Sequence, residues 1–372
     1  MLRSAAVLMV ILHHVDPRMI PGLPEFSGAS GFLFWRLRSF GASGVDLFFV
    51  LSGYLVGGLL LQELEKYGRI NIPRFILRRG LKIWPSYYFV LLVLAITGVT
   101  GCIDGSSAAS MARSLAIHGF FLQNYLDREH LTPTWTLAVE EHFYVTLPFL
   151  MAVIHRRRRL SLLWAVSLGC LALCLVLRLL HLRFTPQSTD SILTHNRFDT
   201  LLLGVFLAWA WREYPDRIRA LTRNRWRAFA AVAVLISPAF FLTRQSPVLL
   251  SAGYTSLALG YGLLLLTVVA HGFGKLETCL PGRILRRIGL WSYNIYLWHY
   301  FLPLLLAPVY NPAQLWLSRL VPSPIVTLIL QVSLFAGLAV LAGWFFTRFL
   351  EEPCLRWRNR RIPSRTVPVQ IN

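Results

Sequence analysis

Five groups of polar residues lie within or at the edges of long apolar runs. A charge in hydrocarbon is costly, so such residues are candidates for chemistry. Arg3 and His14 are eleven residues apart, about three helical turns and about 16 Å along one helix face. With Arg3 at the membrane surface, His14 falls near mid-bilayer. A neutral imidazole there can take a proton from a hydroxyl or carry an acyl group transiently. His13 is rotated away by most of a right angle. In GVDLFFVLSGYLVGG, residues 44–58, Asp46 is the only charge. Close packing explains Ser52, Gly53, Gly57 and Gly58 but not the acid, which is of a type that can hold a histidine tautomer. In RFILRRGLKIWPSYY, residues 74–88, Arg74, Arg78, Arg79 and Lys82 stand at a span entrance. Arg79 and Lys82 share a face, suited to clamping phosphates, although topology alone also yields such clusters. In TWTLAVEEHFYVTLP, residues 134–148, Glu140 and Tyr144 are one turn apart, and Glu141 points elsewhere, free to face water. In IGLWSYNIYLWHYF, residues 288–301, Ser292, Tyr296 and His299 share one face, while interfacial belts account for Trp291 and Trp298.

The elements that must carry these groups are membrane spans. The chain has 372 residues, 55% hydrophobic and 15% charged, with a mean hydropathy of +0.55. A soluble domain has no use for that much apolar surface. Runs long enough to span fall at 4–20, 41–62, 81–100, 132–154, 160–181, 197–212, 228–243, 251–271, 290–309 and 324–348. The first starts almost at Met1, as if a few cytoplasmic residues preceded it. The even-numbered connections hold 26 of the 37 Lys and Arg, the odd-numbered ones 8, and Arg3, Arg178 and Arg197 lie within the runs. The expectation is an all-α polytopic protein of about ten transmembrane helices with both termini cytoplasmic. A transmembrane domain occupies 1–356, and 357–372 form a short basic cytoplasmic tail.

The net charge of +20 sits in short clusters between apolar runs, which reads as topology and contact with lipid headgroups and not as a nucleic-acid surface. The cysteines form no CxxC, and no HExxH or histidine ligand spacing occurs, so no metal is expected. A cleavable leader is not expected, because Arg3 and His14 interrupt the first run. The HxxxD at His195 to Asp199 is too short to weigh.

Together these segments resemble the acyltransferase 3 family, from Arg3 to about Arg356. The basic residue and histidine with ten between match Arg3 and His14. The GVDxFFVxSGF-like segment matches with Tyr54 for Phe. RxxR corresponds to Arg79 and Lys82, a departure that keeps the charge but loses the bidentate fork. W[ST]LxVEExFY matches Trp135 to Tyr144, SYxxYLWH matches Ser292 to His299, and an FxExP-like close matches Phe349, Glu351 and Pro353.

The resemblance implies an O-acyltransferase of the bacterial inner membrane. It would move an acyl group, commonly acetyl, from cytoplasmic acyl-CoA to a hydroxyl of a cell-envelope glycan or lipid-linked glycan, such as lipopolysaccharide O-antigen or exopolysaccharide. A macrolide-like acceptor and a proton-coupled transporter are the alternatives. Some members carry an extra extracytoplasmic SGNH hydrolase-like domain, and this chain ends before one would begin. The expected roles follow. Arg3, Arg79 and Lys82 hold the CoA phosphates, with Tyr144 and His299 beside the donor. His14 is the base, Glu140 orients His14 or the acceptor, and Asp46 holds the histidine tautomer.

Overall fold

Alternating apolar runs and basic connections produce a bundle of helices in the computed structural model, which describes residues 1–16, 19–25, 28–97, 108–127, 132–156, 160–184, 193–321 and 323–366. No strand occurs among the described residues. The helices are α1 (Leu2–His13), α2 (Gly28–Gly41), α3 (Gly44–Tyr67), α4 (Ile72–Thr97), α5 (Ala108–Gly119), α6 (Trp135–Arg156), α7 (Leu162–Phe184), α8 (Phe198–Glu213), α9 (Pro215–Leu221), α10 (Arg225–Phe241), α11 (Tyr254–His271), α12 (Leu280–Leu305), α13 (Ala307–Leu320), α14 (Pro324–Phe346) and α15 (Glu352–Arg361). Each of the ten apolar runs overlaps a helix. Six helical stretches are long and apolar enough to cross a membrane: Gly28–Tyr67, Ile72–Thr97, Trp135–Arg156, Leu162–Phe184, Leu249–His271 and Pro324–Arg361. Helices α1, α8 and α10 are shorter, with 12, 16 and 17 residues, and α12 carries Arg283, Arg286 and Arg287 in its first half. Exposed Leu168, Leu173, Val234, Ile329 and Leu341 give α7, α10 and α14 apolar outer faces suited to lipid.

One expectation needs correction. The run 4–20 is not one helix, because α1 stops at His13 with His14 as its cap. Asp16 precedes Pro17, which disfavours helical geometry at the residue before it. Asp16 then anchors the turn through its carbonyl, which accepts from the Ile20 N–H at 2.8 Å. His14 therefore stands at a helix end, where its ring can leave the helix wall.

The closest helix pairing is α3 against α8, and small residues make it. A Cβ at Gly53 would lie 1.9 Å from the Leu201 carbonyl oxygen, and one at Gly204 would lie 2.4 Å from that of Val50. Neither position admits alanine without parting the helices. Helix α12 packs between α1 and α14, where Gly343 lets Ile295 approach. A π-turn, Thr347–Glu351, links α14 to α15.

The connections sort into two ends. At one end Arg74 and Arg78 donate to the carbonyls of Pro363 and Ile362, Arg212 pairs with Glu65, and Thr222 meets His271 at 2.9 Å. At the other, Asn124 donates to Thr194 at 3.1 Å, Tyr125 meets His195 at 3.2 Å, and Gln331 donates to the Pro21 carbonyl at 3.2 Å. Residues 157–159 of the expected basic connection 155–160, residues 101–107 and 128–131 of the connection 101–131, and the tail beyond 366 lie outside the described residues.

Candidate active site

At the first end, Arg3, Arg79, Lys82, Glu140 and Tyr144 converge on one cavity of about 70 Å³, with Ser52 and Tyr293. The three-residue spacing on α4 turns Arg79 and Lys82 inward together, as their shared face predicts. The Arg79 guanidinium lies over the rings of Phe75 and Tyr144, 5.8 and 5.7 Å from their centroids. The Tyr144 hydroxyl meets Ser52 Oγ at 2.6 Å. The other two members of the basic cluster do not take part, since the chain near Ile362 and Pro363 satisfies Arg74 and Arg78.

A second cavity, of about 60 Å³, shares Arg3, Phe48, Glu140 and Tyr293 with the first and adds Thr136, Ser292 and Tyr296. The one-face spacing on α12 holds: Ser292 accepts from Arg3 Nε at 3.1 Å, and the Tyr296 hydroxyl bonds Thr136 Oγ1 and the Pro133 carbonyl, each at 2.7 Å. One turn further on, His299 is fully buried against His14.

Backbone carbonyls set the tautomers of the two histidines, and the two rings then match each other. A carbonyl can only accept, so the nitrogen facing it must carry the proton. His299 Nδ1 lies 2.5 Å from the Tyr296 carbonyl, which leaves Nε2 as a lone pair. That lone pair faces His14 Nδ1 at 3.2 Å. His14 Nδ1 also lies 3.0 Å from the Val10 carbonyl, so it is the N–H donor, shared between the two acceptors. His14 Nε2 is then an unprotonated lone pair. When that nitrogen gains a proton, both acceptors at Nδ1 stabilise the imidazolium.

His14 also lines a chamber of about 550 Å³ at the opposite end, with His13, Asp16, Phe32, Trp35, Arg36, Arg38, Ser39, Thr243, Arg244 and Tyr300. His13 is not turned away from His14 as its spacing predicts. The rings are 5.0 Å apart, because both lie where α1 ends. Its nitrogens are engaged: Nδ1 donates to the Arg38 carbonyl at 3.1 Å, and Nε2 accepts from Arg244 at 2.7 Å.

Two expected pairings and one expected exposure differ. Asp46 does not reach a histidine. Its carboxylate accepts from Arg197 Nη2 at 2.6 Å, both side chains being 2% exposed, and a second buried pair joins Arg178 to Asp199 at 2.6 Å. Arg197 lies at the α8 start and enters the tight α3–α8 interface beside Asp46, with its guanidinium 4.0 Å from the Tyr254 ring centroid. Glu140 lines the inner cavities and not the chamber that His14 faces. Glu141 does not face water; it is 8% exposed and accepts from Trp84 Nε1 at 3.2 Å. The HxxxD ends also part, since Asp199 pairs with Arg178 while His195 stacks on Tyr125.

Residues not singled out as site groups include Asn294, whose amide joins Thr347 Oγ1 at 3.0 Å and Glu351 at 2.8 Å, fixing α12 to the π-turn. The chamber residues Asp16, Trp35, Arg36, Arg38 and Arg244 were also missed. One signal was present: the connection 17–40 carries three basic residues, more than any other on its side.

Among the described residues no group of His, Cys, Asp and Glu is arranged to hold a metal. Cations line the two inner cavities, the histidine pair stands between them and the large chamber, and an unprotonated imidazole nitrogen there is suited to accepting a proton during group transfer.

Comparison with known proteins points the same way. A family profile described as an acyltransferase domain matches residues 1–348. The chain is 29% identical, over 95% of its length, to the peptidoglycan O-acetyltransferase OatA of Listeria monocytogenes, of which it covers 54%. It is 26% identical, over 95% of its length, to the O-acetyltransferase OatA of Staphylococcus aureus, of which it covers 56%. The chain thus spans about half the length of these curated relatives. No solved structure matches it. The order of its motifs and this match over nearly the whole chain agree: the chain belongs to the acyltransferase 3 family.

Proposed function

We propose that the chain transfers an acetyl group from cytoplasmic acetyl-CoA to a hydroxyl of a cell-envelope glycan across a bacterial cytoplasmic membrane. The observation that carries this reading is the His14–His299 contact, 3.2 Å between ring nitrogens, standing between the inner cavities and the outer chamber. In this reading all ten runs span and both termini are cytoplasmic. The end with 26 of the 37 Lys and Arg faces the cytoplasm, and among the described residues the named contacts between connections join segments of the same end.

In this reading Arg3, Arg79 and Lys82, which line one inner cavity, hold the CoA phosphates, Arg through its fork and Lys as a point charge. The inner cavities, at about 60 and 70 Å³, hold little more than a few waters, so donor binding widens the passage. The acceptor enters the outer chamber. Its hydroxyl proton moves to His14 Nε2 as the oxygen attacks the thioester carbon. The C–O bond forms, the C–S bond breaks, and the departing thiolate takes the proton to become free CoA. His299 and the Val10 carbonyl hold the ring so that Nε2 is the base. Among the open acceptor classes, which include lipopolysaccharide O-antigen, exopolysaccharide and peptidoglycan, the name of the Listeria relative speaks for peptidoglycan.

The test is transfer from [¹⁴C]acetyl-CoA by protein in lipid nanodiscs supplied with envelope glycan fractions. Label in an alkali-labile ester, matched by free CoA, is expected. Label that crosses a vesicle membrane with no new ester would identify a transporter and end this reading.

A further inference from the structure

The outer chamber has a charge that proton transfer does not require. Three guanidinium groups line it, from Arg36, Arg38 and Arg244. Arg38 is neutralised by Asp16 at 2.8 Å. Arg244 donates to His13 Nε2, and His13 Nδ1 donates to a carbonyl, so His13 stays neutral and leaves the charge of Arg244 uncompensated. The Arg36 guanidinium lies 4.9 Å from the Phe32 ring centroid. No described carboxylate lies within 4.0 Å of Arg36 or Arg244. Two positive charges therefore remain in a concave site with low-dielectric walls, an arrangement that concentrates anions.

Topology makes this placement informative. The connections at this end hold only 8 of the 37 Lys and Arg, as expected of a translocated side. Three of those few line this one chamber. Phe32 and Trp35, 57% and 47% exposed, add flat apolar faces on the same wall, suited to the C–H face of a sugar ring. A volume of about 550 Å³ is ample for a sugar with an anionic substituent.

Building on the proposed acetyl transfer, we propose that the outer chamber selects acceptors bearing an anionic group, a phosphate or a carboxylate, which Arg36 and Arg244 hold while the reacting hydroxyl lies at His14. Arg38 positions His13 through its carbonyl and leaves the anion to the other two arginines.

The test uses methyl glucoside as the neutral probe, glucose 1-phosphate for phosphate and methyl glucuronide for carboxylate. Binding of each to nanodisc protein is measured by calorimetry without CoA, and transfer from [¹⁴C]acetyl-CoA is measured beside it. At least tenfold tighter binding of one anionic probe over the neutral one is expected. That ratio should fall toward one in the Arg36→Gln/Arg244→Gln variant, and the Arg36→Lys/Arg244→Lys variant should retain part of it, separating lost charge from lost fold. Preference for glucose 1-phosphate alone identifies phosphate as the group read, and preference for the glucuronide alone identifies carboxylate. Equal binding of all three by wild type, or a preference that survives the glutamine variant, overturns the proposal. Ester formation is read separately, so absence of transfer with the binding preference intact counts against the transfer reaction and not against the anion site.

Discussion

Removing the Asp46 carboxylate should destabilise the bundle before it disturbs any chemistry. Asp46 and Arg197 are each 2% exposed and meet at 2.6 Å. Arg197 Nε and Nη1 have no hydrogen-bond partner, so Asp46 carries most of the compensation for that charge. The Tyr254 ring at 4.0 Å is present with or without the carboxylate and does not replace it. Breaking a buried pair from one side costs about 3–5 kcal/mol, because the remaining charge stays buried alone. Asp46→Ala should therefore lose about that much. Asp46→Ala combined with Arg197→Met removes both charges and should recover most of the loss, since an apolar pair of similar volume is often neutral. The assay is thermal unfolding of detergent-solubilised protein by intrinsic fluorescence, completed as a double-mutant cycle. Acetyl transfer per unit of folded protein is measured on the same samples, and the double variant should retain it. If Asp46→Ala melts like wild type but has lost transfer, the carboxylate acts in the reaction and the reasoning fails.

Other perturbations separate packing from chemistry. Gly53→Ala places a Cβ 1.9 Å from the Leu201 carbonyl and should abolish monodisperse protein in size-exclusion chromatography, whereas Gly57→Ala, with its nearest atom at 2.9 Å, should be milder. Lys82→Ala should raise KM for acyl-CoA with little change in kcat, as expected of a group that binds the donor and does not react; an unchanged KM would remove Lys82 from the donor site. His299→Ala should lower kcat by about 10²-fold, within the range of acid–base assistance, and leave KM for both substrates near wild type. His299→Gln, which keeps an acceptor for His14 Nδ1, should restore part of that loss; equal activity of the two variants would show that the contact does not stabilise the His14 imidazolium.

The helices and most inner-cavity groups were legible because they depend on local periodicity. Arg79 and Lys82 share a face of α4, Glu140 and Tyr144 share one of α6, and both pairs line the same cavity. The pairings between helices were not legible. Asp46 and Arg197 are 151 residues apart, and so strong a buried acid invited assignment to a histidine when a base in the next interface had claimed it. His14 and His299 were each conspicuous, yet nothing along either helix says that they touch. The end of α1 could be read from Asp16 and Pro17, but hydropathy continues past it to Ile20, and that hid the turn. Arg36, Arg38 and Arg244 were counted as topology, which is what an arginine in a connection ordinarily means.

The most direct measurement is the O-acetyl content of envelope glycans, by proton NMR and mass spectrometry, in a deletion strain complemented with wild type or with His14→Ala. Wild type should restore an O-acetyl signal. His14→Ala, matched for amount and melting temperature, should not, because among the described residues it removes the one chamber-lining imidazole whose Nε2 is left as a lone pair to take the acceptor proton. An O-acetyl signal near wild-type level from His14→Ala would contradict the assignment of the base and, with it, the proposed route across the membrane.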